Sequence, residues 1–117
     1  GEWTLIVPMG EVCDENCKEL LYLARQVNVA LGKESTRVHR LLLTTSPAPQ
    51  IDSLVLEYPD MTVAATSATK VSSTLGNMER IYLMDPLGNI FMVYSKEKAG
   101  KPMLKDIKHL LKISNIG

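Results

Sequence analysis

An α/β domain built on a mixed sheet of about four strands flanked by helices is what this sequence predicts, from three observations. Short β-rich apolar runs alternate with segments of helical period. Two such runs, 3–7 and 38–44, are separated by a helix-length segment, which makes them parallel neighbours. Two more, 80–84 and 89–94, close around the turn Asp85-Pro86-Leu87-Gly88, which makes them an antiparallel hairpin. With 117 residues, 45% of them apolar, the chain fits one domain over 1–117 with a real core and leaves no room for a second.

The first strand, Trp3-Thr4-Leu5-Ile6-Val7, is apolar except at Thr4, as expected of a strand covered on both faces. Pro8 stops it, and 9–12 form a loop to which Gly10 gives a flexible backbone. From Asp14 the period becomes helical. Cys17, Leu20, Leu21, Ala24, Val27 and Leu31 recur at steps of three and four, Asp14 and Glu15 sit in the first turn, and Gly32 is a C-cap. Val38-His39-Arg40-Leu41-Leu42-Leu43-Thr44 is the second strand, central in the sheet. Ser46-Pro47-Ala48-Pro49 is a turn whose prolines cannot continue it.

A short helix is predicted over 51–58 with Leu54, Val55 and Tyr58 inward, followed by no more than a fragment of strand at 61–65. Residues 66–75 contain six Ser or Thr and lead into Gly76-Asn77, which predicts a surface loop or frayed helix. After the hairpin, Pro102 fits the first turn of a last helix. Its apolar stripe is Met103, Leu104, Ile107, Leu110 and Leu111, and Lys101, Lys105, Lys108 and Lys112 lie opposite. The order β-α-β-α-β-β-α describes a thioredoxin-like fold, in which the hairpin and last helix complete a sheet begun by the βαβ unit.

Charge narrows the partners little. Thirteen basic and thirteen acidic residues cancel, so the whole-chain field gives no ground for nucleic acid or an anionic membrane surface. No apolar stretch approaches the roughly 20 residues of a membrane span. A strand beginning two residues after Gly1 is what a soluble domain cut from a longer protein would show.

Both cysteines lie in Cys13-Asp14-Glu15-Asn16-Cys17, between the first strand and the first helix. A pair at a helix start is where free N–H groups and the dipole favour thiolate, the form that attacks disulfides and binds soft metals. If both were helical their Cα atoms would lie about 6 Å apart, within reach of a disulfide. Paired thiolates also suit Cu(I). The plainer alternative is two buried, unpaired cysteines. Glu11, Asp14 and Glu15, with Lys18 the one close cation, oppose the dipole and predict a modest nucleophile.

Other donors are sparse. His39 reads as a hydrogen-bonded structural histidine in a central strand, and His109 falls on the basic face of the last helix. Met9 and Met78 are sulfur donors better placed toward the thiols, although methionines of this kind ordinarily fill core gaps. The lysine stripe could meet an acidic partner or phospholipid headgroups, but more often such a stripe is a solvated face. No Ser-His-Asp signature or glycine-rich phosphate loop is present. A peroxide-reducing site would need Thr and Arg by the cysteine, where this loop has acids.

Strand 3–7 leading into Cys-x-x-x-Cys, and later Ile81-Tyr82-Leu83-Met84-Asp85-Pro86-Leu87-Gly88-Asn89, look like the two hallmark segments of the Sco/SenC proteins. These are membrane-anchored thioredoxin-fold proteins that help assemble the copper centre of cytochrome c oxidase. Segments 21–40 and 104–117 are similar to Sco-like anchored proteins of bacterial oxidase gene neighbourhoods. The resemblance implies Cys13 and Cys17 as redox-active, copper-ligating thiols. It implies Cu(I) as the metal, and an oxidase subunit or a copper or redox assembly factor as partner. It implies a place on the periplasmic side of the bacterial inner membrane, with membrane contact only through an anchor outside this chain.

The chain departs from the family pattern at three places. Asp14-Glu15-Asn16 lacks the proline found between the family's cysteines, and no proline precedes Ile81. Asn77 stands where the family has its histidine ligand, which leaves Met78 as the candidate third donor. The role implied is that of an assembly factor or metallochaperone-like protein, or of a thiol–disulfide oxidoreductase. A fold that keeps its partner-binding surface without copper or redox activity is the alternative.

Overall fold

The computed structural model describes residues 2–45, 49–67, 75 and 79–114. Among them lie β1 (Trp3–Met9), α1 (Glu15–Ala30), β2 (Val38–Thr44), α2 (Gln50–Glu57), β3 (Thr62–Ala65), β4 (Ile81–Met84), β5 (Ile90–Tyr94) and α3 (Lys101–Ser114). Short 3-10 turns at Gly32–Arg37 and Lys96–Lys98 join neighbouring elements.

The strands form one mixed sheet in the order β3-β2-β1-β4-β5. β1 runs parallel to β2, with Trp3 opposite Val38 and Met9 opposite Thr44, and antiparallel to β4. Being central, β1 is covered on both faces, which is why its sequence is apolar at every position but Thr4. From β1 to β2 to β3 the chain steps twice in the same direction. Right-handed crossovers therefore put α1 and α2 on the same face. The buried cluster agrees: Leu20, Ala24 and Val27 of α1, Leu54 of α2 and Met103, Ile107 and Leu111 of α3 join Leu5 and Val7 of β1 and Leu42 of β2.

The thioredoxin-like α/β expectation holds, with a mixed sheet of five strands where about four were expected. The addition is β3, which pairs in parallel register with β2 from Leu41–Thr62 to Thr44–Ala65. At four residues on an open edge it buries none of its side chains fully, and it lies within 61–65, where no more than a fragment of strand was expected. The second helix starts one residue early, at Gln50, and Val55 is 39% exposed instead of inward, while Leu54 and Tyr58 are buried.

Asp14 is the N-cap of α1 and not part of it, and Gly32 follows the helix with φ 61° in the left-handed region, as a C-terminal glycine does. The hairpin forms as expected. Asp85 accepts from the backbone N–H groups of Leu87 and Asn89 at 3.0 and 2.9 Å, and a bulge opposite Leu83 and Met84 accommodates Phe91. Of the predicted turn 46–49 only Pro49 is described. Residues 68–74 of the predicted loop, and 76–78 with Asn77 and Met78, lie outside the described residues.

Candidate redox site

The C-terminal end of β1 delivers the chain to the cysteines. Beyond Met9 the β1–β2 ladder carries on through one more bond, Thr45 N–H to Met9 O at 3.2 Å, and the backbone then turns away through Glu11 and Val12, both exposed. Cys13 comes next, outside the helix and 1% exposed; Cys17 is the third residue of α1 and 6% exposed. They form a disulfide, with Sγ atoms 2.08 Å apart and Cα atoms 5.1 Å apart. The separation is shorter than the roughly 6 Å of an i, i+4 helical pair because Cys13 lies before the first turn.

Two side chains hold the main chain on either side of that bridge. Asp14 accepts the Cys17 N–H through Oδ1 at 2.9 Å. Gln50, at the start of α2, accepts the Cys13 N–H through Oε1 at 2.7 Å and donates from Nε2 to the Cys13 carbonyl at 2.8 Å. The amide thus serves Cys13 as a neighbouring strand would. Donors that a helix start leaves free for a thiolate are, at both cysteines, already given to side-chain oxygens. Lys18, the close cation, pairs with Glu15 at 3.6 Å on the surface. Beside the helix start a polar cleft of about 200 Å³ is lined by Asn16, Glu79, Arg80, Ser95, Lys96 and Glu97.

The structure brings Cys13 and Cys17 together and keeps the histidines apart from them. His39 lies near the beginning of β2, opposite Thr4, whereas the cysteines follow the far end of β1. Its side chain is half exposed and paired with Glu2, so it is a surface residue and not an interior one. The alternation of β2 turns His39 outward and Arg40 inward. His109 is exposed on α3, and Met9 is a buried core residue. Among the described residues no three His, Cys, Asp or Glu side chains cluster so as to hold a metal. The four lysines of α3 all face solvent.

Sequence reasoning missed Gln50. Its bonds span 37 residues, and no motif marks it. Topology held the one clue: in a parallel sheet the segment after β2 lies beside the segment after β1, at the carboxyl ends where sites gather.

A parallel βαβ unit with a cysteine pair where its first helix begins, finished by an antiparallel hairpin and a C-terminal helix, defines a thioredoxin-like protein. Solved structures agree on that fold. ScoI of Bradyrhizobium japonicum, determined with copper bound, is 22% identical with a TM-score of 0.61, over 91% of this chain and 85% of that one. A thioredoxin candidate from Neisseria meningitidis superposes with a TM-score of 0.71 at 18% identity, over 100% of this chain and 79% of the other. The thioredoxin domain of a thiol-disulfide oxidoreductase from Bacteroides vulgatus gives 0.61 at 16%, over 92% and 79%. No curated protein matches. The chain belongs to the family of transmembrane-like, thioredoxin-like C-terminal domains, whose profile matches residues 3–114. Among the described residues no helix is long and apolar enough to cross a membrane.

Proposed function

We propose that this chain exchanges thiols and disulfides through Cys13 and Cys17, as a Sco-like domain working in cytochrome c oxidase biogenesis on the periplasmic side of a bacterial inner membrane. The observation that carries the reading is the disulfide at the junction of β1 and α1. A bridge over so short a loop is a weak staple, and its position is the reactive corner of the fold. Exchange with a protein dithiol is balanced. A partner thiolate attacks one sulfur, the Cys13–Cys17 bond breaks, and the released sulfur leaves as a thiolate that takes a proton. The partner's second thiol then resolves the mixed disulfide, leaving the partner oxidised and the pair reduced.

The oxidase setting rests on the hallmark segments, on the transmembrane-like family and on the fold shared with copper-bound ScoI. A periplasmic place suits a persistent disulfide. The partner is an oxidase subunit or a copper or redox assembly factor. Copper enters as cargo: once reduced, the pair offers two soft thiolates, enough for two-coordinate Cu(I), with Met78 the candidate third donor. A partner-binding domain without chemistry is the second reading, favoured by the burial of both cysteines.

The test is the equilibrium of the purified chain with glutathione and dithiothreitol buffers, read by thiol mass-tagging. A midpoint between about −270 and −120 mV is expected, the span of exchange proteins; one below about −300 mV marks a structural bridge and overturns exchange. A Cu(I) competition titration of the reduced chain follows, with Asn77→His for comparison and the double Cys→Ser variant as blank. Binding lost in the blank supports the cargo role. Binding seen only with Asn77→His removes copper and leaves exchange.

A further inference from the structure

We propose that Gln50 is the positioning residue of the cysteine pair, and that through it the redox state of Cys13–Cys17 is tied to the seating of α2. The proposal rests on the exchange reading above and deepens it. The two cysteines are held unequally. Cys17 is fixed within the first turn of α1, its N–H capped by Asp14. Cys13 has no helix around it, and the residues just before it are exposed. What holds its main chain is the Gln50 amide, bonded to both of its peptide groups. Two parallel bonds to one planar group fix rotation as well as position.

Reduction asks the pair to separate. In the disulfide the sulfurs share a bond, and in the dithiol they must retreat to non-bonded contact. Cys17 is locked into the helix, so any main-chain movement that accompanies the separation falls on Cys13 and strains its bonds to Gln50. The clamp therefore stabilises the disulfide more than the dithiol. With Cys13 99% buried, the same clamp also keeps an attacking thiol out until α2 loosens. An external dithiol supplies both electrons and is released as its disulfide, as in the exchange written above.

The experiment measures the redox midpoint and the rate of reduction by dithiothreitol for the wild type, Gln50→Ala and Gln50→Glu. The alanine variant should shift the thiol–disulfide equilibrium about tenfold toward the dithiol, a midpoint about 30 mV higher, and should be reduced faster. Glutamate keeps the size and one acceptor but, ionised at pH 7, cannot donate to the Cys13 carbonyl, so it should shift the same way. If the alanine variant fails to fold, the glutamate variant decides alone. A role in stability only would lower the melting temperatures of the oxidised and reduced forms equally and leave the midpoint in place, and that result overturns the proposal. A wild-type midpoint below about −300 mV with a Gln50 shift still present sinks the exchange reading and spares the positioning.

Discussion

Asp14 does two things at the cysteine corner, and substitution can pull them apart. Its Oδ1 caps α1 by accepting the Cys17 N–H at 2.9 Å. Losing such a cap costs about 1 kcal/mol, which in a domain of this size lowers the melting temperature by about 4 °C. Its charge also opposes formation of a second negative charge on Cys17. Asp14 is exposed, so the low end of the Coulomb range applies, about 1 kcal/mol or roughly fivefold in thiolate population.

Asp14→Ala should therefore melt about 4 °C lower while its reduced form reacts with iodoacetamide at pH 7 roughly fivefold faster. Asp14→Asn is the decisive variant, because asparagine caps as well as aspartate and carries no charge. It should keep the wild-type melting temperature to within a degree or two and show the same faster alkylation. Global opening cannot explain a rate increase in a protein that is no less stable. If the asparagine variant alkylates at the wild-type rate, the acids do not restrain these thiols.

Removing the bridge by Cys13→Ser with Cys17→Ser should cost about 2 kcal/mol from a five-residue loop, leaving the chain folded with a melting temperature about 8 °C lower by circular dichroism. Tyr94 donates to Asp106 Oδ2 at 2.9 Å, joining β5 to α3, and Tyr94→Phe should cost about 2 kcal/mol in urea unfolding. Burial first, then the bond to Asp106, pushes the Tyr94 phenol well above its ordinary range. The native state then holds this proton more tightly than the unfolded one, so its contribution is full below about pH 10 and falls above it, in the wild type and not in Tyr94→Phe. Arg40 is 9% exposed on the helical face of β2 with Nη1 buried and unpartnered among the described residues; burial pushes its pKa down, and Asp60 opposes that. Arg40→Met should be neutral or stabilising in thermal melts, whereas Asp60→Asn, which strips the arginine of its counter-charge, should destabilise.

Elements with a strong period or a turn signal were legible. Cys17, Leu20, Leu21, Ala24 and Val27 announce the buried face of α1, and Asp85 to Gly88 announce the hairpin. What escaped was the structure set by neighbours. Thr62–Ala65 was legible only as a fragment, and it becomes a strand of the sheet because the open edge of β2 is there to pair with. Val55 faces out because the apolar face of α2 is one residue wide per turn at Leu54 and Tyr58. His39 reads as a hydrogen-bonded structural histidine and not a ligand; it is paired with Glu2 on the outer face of β2, away from the cysteines, and only its exposure was not legible. At the site the two cysteines and the acid beside them were readable as local sequence. Gln50 was not, because its partner is a peptide group, which every residue has.

The site therefore carries a tension that the sequence alone did not reveal. Its position is that of a reactive corner, yet both cysteines are buried and their N–H groups are spent on Gln50 and Asp14. The two can coexist if reactivity is conditional. Each hydrogen bond of the clamp contributes about 1 kcal/mol net, so releasing both changes the opening equilibrium roughly thirtyfold. That is a small fraction of what a specific protein interface supplies. A partner that draws α2 aside would meet a disulfide far more open than the one a free thiol meets in solution. Discrimination between a cognate dithiol and the small-thiol pool would then lie in α2 and not in the cysteines. Reduction by a protein partner should accordingly lose its advantage over dithiothreitol in Gln50→Ala, where the gate already stands open.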